Sequence, residues 1–277
     1  INNKEETMKK LSLIYIVFIS VFFISCSETQ EQKTDLAEQE VEYISEGTIL
    51  KGFLVYNRKI EGKRPGILVV HEWWGHNDYA RKRARMLAEL GYTALAVDMY
   101  GDGKKADHPE DAQKFAGEIF TNVKTGEARF LAAYDFLSDQ ETVNPDEIAA
   151  VGYCFGGAVV LHMARIGMDL KAVASFHGGI QPITPAEEGK VKAFVLVCNG
   201  ADDPFVTQEQ IDAFKKEMDD AKVQYEFVNY EGAVHSFTSP AADSLGPKFN
   251  MPLAYNEKAD KESWEEMQKV FNKVFNK

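Results

Sequence analysis

Gly152-Tyr153-Cys154-Phe155-Gly156-Gly157 closes an apolar run over 148–153 and opens a stretch, 157–166, whose pattern predicts a helix. This is Gly-x-nucleophile-x-Gly at the point where a strand passes into a helix. The spacing has a physical reason. A nucleophile lifted above a sheet sits in a strained turn, and larger neighbours than glycine would strike adjacent backbone. The helix that follows presents unpaired N–H groups and a partial positive charge, a setting that suits thiolate chemistry. Taken alone, the residues also fit a structural cysteine buried in a glycine-rich turn.

Outward from this point, short β-rich runs alternate with helical ones. Strands are predicted over 41–49, 52–56, 66–70, 93–99, 148–153, 172–176, 194–198 and 225–230. The run Gly66-Ile67-Leu68-Val69-Val70 is continuously apolar, as in a strand covered on both faces. Helices are predicted over 78–90, 111–120, 124–137, 157–166, 208–221 and 263–275, with Thr207 and Gln210 forming a capping box. Arg81, Lys82, Arg83 and Arg85 read most simply as a solvated helix face. The alternation predicts an α/β fold: a mostly parallel central sheet flanked by helices. Reactive groups in such sheets collect on loops at the C-terminal ends of the strands.

A thiol nucleophile needs a base, and the base an orienting acid, in the order nucleophile, acid, histidine. Gly200-Ala201-Asp202-Asp203-Pro204-Phe205-Val206 follows the strand ending near Cys198, and Gly232-Ala233-Val234-His235-Ser236-Phe237 follows the last strand. Cys154, a carboxylate and His235 therefore reach one rim. Each alone has a plainer reading: a turn-capping aspartate, or a loop histidine. Cys198 ends an apolar strand and reads as a small core residue. Trp74, Tyr100 and His177 lie near the same rim and are candidate pocket walls. Trp73, Trp74 and Phe155 could equally pack the core.

Gly-Tyr-Cys-Phe-Gly-Gly, Gly-Ala-Asp-Asp-Pro-Phe-Val, His-Ser-Phe and His71-Glu72-Trp73-Trp74-Gly75 together resemble the dienelactone hydrolase family, over roughly 52–275. The resemblance implies the α/β-hydrolase fold and hydrolysis of an ester or lactone through Cys154, His235 and Asp203, with Asp203 rather than Asp202 as the acid. It implies an oxyanion hole from the backbone N–H groups of Trp73 and Phe155, and a Glu72 that contacts the resting thiol. A carboxylate there would hold the thiol protonated until substrate arrives. Where dienelactone-cleaving members have carboxylate-binding arginines, this chain has Asp102 and Ser239, so neutral or cationic esters and lactones are expected. The alternatives are a catalytically silent binding protein on the same fold, or a thioesterase or acyl-peptide hydrolase.

From Met8, Lys9-Lys10 precedes an apolar run over 11–24 and then Ser25-Cys26. This reads as a secretory signal too short for a comfortable span. Phe23-Ile24-Ser25-Cys26 resembles the lipobox of bacterial lipoproteins, implying lipid on Cys26 and a membrane-anchored place in the cell envelope, at the periplasm or outer membrane. The expected organisation is a signal peptide over 1–25, with 1–7 upstream of the native start, a tether over 26–40 and the hydrolase domain over 41–277.

A formal net charge of -12 argues against nucleic acid as a partner. His71-Glu72-Trp73-Trp74-Gly75-His76 misses zinc-protease spacing by one residue, and there is no dinucleotide fingerprint or phosphate loop. No metal or cofactor is expected, and the partner is a small-molecule ester or lactone.

Overall fold

The computed structural model describes residues 35–276. The expected signal, Cys26 and most of the tether lie outside the described residues. Leu36–Ser45 (β1) and Thr48–Asn57 (β2) form an antiparallel hairpin. Its turn holds Glu46 and Gly47 at φ of 46° and 80°, the left-handed pair that matches strand twist. Residues 36–40, expected as tether, are therefore sheet. Glu38 and Glu40, which made this stretch look solvated, are held by Arg85 and Arg81 of the first helix.

Behind the hairpin come Arg64–Val70 (β3), Asp78–Glu89 (α1), Thr93–Val97 (β4), Pro109–Thr121 (α2) and Val123–Ser138 (α3). Val143–Tyr153 (β5), Phe155–Arg165 (α4), Ala172–Phe176 (β6) and Phe194–Gly200 (β7) follow. Gln208–Asp220 (α5), Tyr225–Tyr230 (β8), Ala242–Phe249 (α6) and Glu257–Val274 (α7) complete the elements of the described residues. The eight strands lie in the order β1-β2-β4-β3-β5-β6-β7-β8. Pairing from β4 to β8 is parallel, and β2 meets β4 antiparallel. This is the α/β-hydrolase fold. β5 lies between β3 and β6, so the loop that bears Cys154 sits mid-sheet.

Alternation sorts the core into two layers. Leu68 and Val70 of β3 pack with Phe130 of α3, Val160 of α4 and Phe214 of α5. Ile67 and Val69 face the other way, against Leu87 of α1 and Phe271 of α7. Both layers are buried, which is why these strands read as unbroken apolar runs.

Two helices depart from expectation. α7 starts at Glu257, six residues before 263, because the Asn256 side chain caps it by accepting the Ala259 N–H at 3.0 Å. α6 has no counterpart in the expected elements. Gly246 and Pro247 interrupt its pattern, yet the glycine is what allows close approach, since a Cβ there would lie 2.4 Å from the Leu253 carbonyl oxygen. Arg83 also differs from expectation. It is not solvated but buried, bonded to the Thr238 carbonyl at 2.7 Å and to Asp260 at 2.5 Å. A buried cation survives only with such partners.

Candidate active site

Cys154 leaves β5 at φ 52°, ψ −113°, in the sparsely occupied left-handed half of backbone space, and caps α4. Its own N–H is tied to the Phe176 carbonyl at 3.0 Å, which fixes the turn against β6. The glycines around it are sterically required: a Cβ on Gly152 would lie 2.0 Å from the Gly156 oxygen, and one on Gly156 would lie 2.3 Å from the Val70 oxygen. The thiol is partly exposed, whereas Cys198 is fully buried and its thiol is pushed up to about 12 by burial.

Asp203 follows β7 in a tight turn closed by its N–H on the Gly200 carbonyl, 3.1 Å. Its Oδ1 accepts the Phe205 N–H at 2.9 Å, leaving Oδ2 for His235 Nδ1 at 2.7 Å. His235 Nε2 in turn faces Cys154 Sγ at 3.1 Å. Three loops far apart in sequence thus join sulfur, imidazole and carboxylate in one hydrogen-bonded row. Asp202 is exposed, so the buried acid is Asp203. Burial works to lower the His235 pKa, but the adjacent sulfur and the bond to Asp203 outweigh it and lift the imidazole to about 10.

The loop after β3 forms the opposite wall. Met99 N–H donates to His71 Nε2 at 3.3 Å, which leaves Nδ1 as the protonated nitrogen donating to the Glu72 carbonyl at 2.5 Å. Burial holds this imidazole neutral by pushing its pKa down to about 4. Tyr100 Oη donates to the Trp73 carbonyl at 2.9 Å and Ala106 N–H to that of Trp74 at 2.9 Å, so the loop's peptides are pinned from outside. Phe155 heads α4, where an N–H has no intrahelical acceptor, while the next one, of Gly156, is taken by the His71 carbonyl at 3.1 Å. The Phe155 N–H thus heads the helix that Cys154 caps, on backbone held by the Gly156 bond.

The model of the dienelactone hydrolase family matches residues 50–275. The chain belongs to the dienelactone hydrolase family. Protein usf of Aquifex pyrophilus is 29% identical over 211 residues, covering 75% of this chain and 90% of that one. The crystal structure of P91, a dienelactone hydrolase-like promiscuous phosphotriesterase from metagenomic libraries, is 37% identical with a TM-score of 0.82, covering 87% of this chain and 99% of its own. The structure called m3DLH is 41% identical with a TM-score of 0.82 and the same coverage.

Within this dienelactone hydrolase-like enzyme, Glu72 does not make the expected contact. Its Oε1 accepts from Ser236 Oγ at 3.1 Å, while the Cys154 sulfur is bonded to His235. Burial is the main influence on Glu72 and raises it to about 7, against the lowering effects of Ser236, His235 and Arg83. Below 4.5 the group is protonated in folded and unfolded chains alike. Between 4.5 and 7 the folded state holds a proton that the unfolded state has lost, so stability falls as pH rises through this window. The cost is complete above it, at about 3 kcal/mol. Glu72→Gln, which can still accept from Ser236, is expected to melt with wild type at pH 4.5 and several degrees higher at pH 8. Equal melting temperatures at both pH values would show that Glu72 carries no such burden.

Glu72 and Trp74 line a cavity of about 410 Å³ together with Ser239, and Lys105, Asp107 and Lys248 supply its charges. Trp74 lines this cavity, whose walls do not include Cys154, Asp203 or His235. Tyr100 and His177, expected as pocket walls too, do not line it. Tyr100 lies beneath the loop, with its ring against His71 and Phe155. His177 turns inward at φ 40°, is wholly buried and bonds Thr238 Oγ1 through Nε2 at 2.7 Å. Burial drives its pKa well down, so it backs the site as a neutral group. The Asp102 N–H bonds the Ile49 carbonyl at 2.7 Å, its side chain is exposed, and it does not line this cavity. Lys105 and Lys248, which sequence reasoning missed, line it instead. Lys105 follows the close approach at Gly75, where a Cβ would meet the Lys104 carbonyl oxygen at 2.4 Å, and Lys248 rides on α6. Among the described residues, no group of three or more His, Cys, Asp or Glu is arranged to hold a metal ion.

Proposed function

We propose that the chain hydrolyses a carboxylic ester or lactone through an acyl-enzyme on Cys154. The observation that carries the proposal is the row Cys154–His235–Asp203, with contacts of 3.1 and 2.7 Å. The sulfur attacks the carbonyl carbon, and the oxygen gains charge that the Trp73 and Phe155 N–H groups stabilise. His235 Nε2 holds the proton that the thiol gives up, as an imidazole pKa raised to about 10 favours, and delivers it to the departing alkoxide or enolate oxygen. Water then attacks the thioester, giving its proton to His235, and the acid product leaves with the thiol restored. Asp203 holds the imidazole in the tautomer this requires and stabilises its cationic form. The same nucleophile and donors suit a phosphotriester, the substrate class named for the relative P91.

The charged cavity widens the substrate class beyond neutral esters. Lys105 and Lys248 face one exposed carboxylate, Asp107, and a Glu72 whose burial keeps it partly protonated near neutrality. A carboxylate on the substrate is therefore accommodated. The test is turnover of a panel of neutral and anionic aryl esters and lactones without added cofactor. Both classes are expected to be hydrolysed, and the Lys105→Glu, Lys248→Glu pair to cut the anionic-to-neutral ratio of kcat/KM by about tenfold. Failure of every ester and lactone to turn over would overturn the proposal.

We further infer that Cys26 carries lipid and holds the enzyme at the bacterial envelope. The support is the basic, then apolar, then Ser25-Cys26 sequence alone. Intact mass of the membrane-extracted protein tests it, and a mature chain retaining Met8 would contradict it.

A further inference from the structure

Three of the large hydrophobic side chains that stand exposed on the described surface converge on one spot. Phe120, Ile183 and Phe205 are 37%, 44% and 51% exposed, and all three line a single depression of about 220 Å³ with Ala158, Ile180 and Gln181. Scattered apolar side chains on a surface need no explanation, but a cluster in a concavity does. This one abuts the reacting groups. The Phe205 ring meets His235 edge-on at 5.0 Å and 90°, and its N–H is the donor that holds Asp203. The Phe120 ring meets Phe155, the residue after the nucleophile, at 5.2 Å and 60°. The Ala158 N–H bonds the Cys154 carbonyl at 3.3 Å. No residue is shared with the charged cavity that contains Glu72, Lys105 and Lys248. Past Ile180, Gln181 and Gln210 the depression adjoins a hollow of about 440 Å³ beside Pro182, Pro185 and Phe214.

We propose that this depression is the subsite for an apolar arm of the substrate, so that the ester is amphiphilic. An aromatic or alkyl arm lies on Phe120, Ile183 and Phe205, and a polar or anionic arm lies toward Lys105 and Lys248. The proposal rests on the ester-hydrolase reading and names its substrate class. Its physical basis is that each methylene leaving water against these side chains stabilises the bound state. The adjoining hollow gives a chain room to extend beyond a single ring.

The experiment uses two series of neutral esters. One lengthens the acyl arm from acetate to octanoate on p-nitrophenol, and the other lengthens the alcohol arm from methyl to octyl on acetate. In the wild-type chain kcat/KM is expected to climb in one of the two series, by up to about fourfold per methylene. In the Ile183→Ser, Phe205→Ser double variant the climb flattens, seen as a fall in the long-to-short ratio. Both side chains are exposed, so the variant retains the fold, checked by its melting temperature, and Ile183→Ser alone serves if it does not. Hydrolysis with no climb in either series, or a climb that survives in the variant, overturns the subsite and leaves the ester-hydrolase reading standing. No hydrolysis in either series removes both.

Discussion

Cys154→Ala is expected to lower kcat for p-nitrophenyl acetate by about ten-thousand-fold or more. Alanine removes the atom that forms the covalent bond while leaving the backbone donors and the cavity in place. What remains is the small enhancement that binding and two N–H groups give on their own. Cys154→Ser should retain a remnant above the alanine variant, because an oxygen nucleophile can use the same base but is harder to activate. The strained φ of 52° at this position makes both substitutions sterically similar, so differences between them report chemistry. Cys198→Ala is the control: that thiol is buried beneath Tyr230 and should be dispensable for turnover. Steady-state rates for the three proteins, with mass-verified active protein, settle the comparison. An alanine variant as fast as wild type would exclude a covalent role for Cys154.

Asp203→Asn is expected to cost about 10³–10⁴ in kcat near neutral pH. The geometry says why. The Phe205 N–H at 2.9 Å demands an acceptor, so the asparagine carbonyl takes the Oδ1 position and its NH₂ faces His235. Two donors cannot meet, and His235 must then carry its proton on Nε2, where the thiol needs an acceptor. The same substitution removes the hydrogen bond and charge that help hold the imidazole near 10 against the lowering effect of burial, so the His235 pKa falls. As pH rises, hydroxide rather than His235 can ionise the thiol, and the deficit relative to wild type should shrink. A pH–rate profile from pH 6 to 10 checks this. A constant deficit at every pH would mean that Asp203 serves the fold rather than the imidazole.

The nucleophile loop, acid and histidine were legible in the sequence because each lies directly after a strand whose apolar run is unmistakable. Once strands alternate with helices, those strand ends share one rim, and Cys154, Asp203 and His235 meet there. The outer strand β1 was half hidden, since Glu38 and Glu40 are as polar as a tether until Arg85 and Arg81 of α1 are seen beside them. α6 was masked by Gly246 and Pro247, which break a helical pattern for the sake of contact with Leu253. Side-chain direction was not legible. His177 ends a strand at the correct rim, yet its backbone at φ 40° turns the ring toward Thr238 and away from the cavity. Lys105 and Lys248 come from loops and helices more than 140 positions apart in the numbering, and no local pattern unites them. Arg83 looked solvated because its partner Asp260 lies on the last helix.

The most direct measurement is the mass of the enzyme quenched within its first turnovers on p-nitrophenyl acetate. An acetyl group should appear on the peptide that carries Cys154, accumulate in step with the first equivalent of p-nitrophenol, and decay as acetate is released. Steady release of p-nitrophenol with Cys154 unmodified throughout, or with the acetyl group on a different side chain, would contradict an acyl-enzyme at this sulfur.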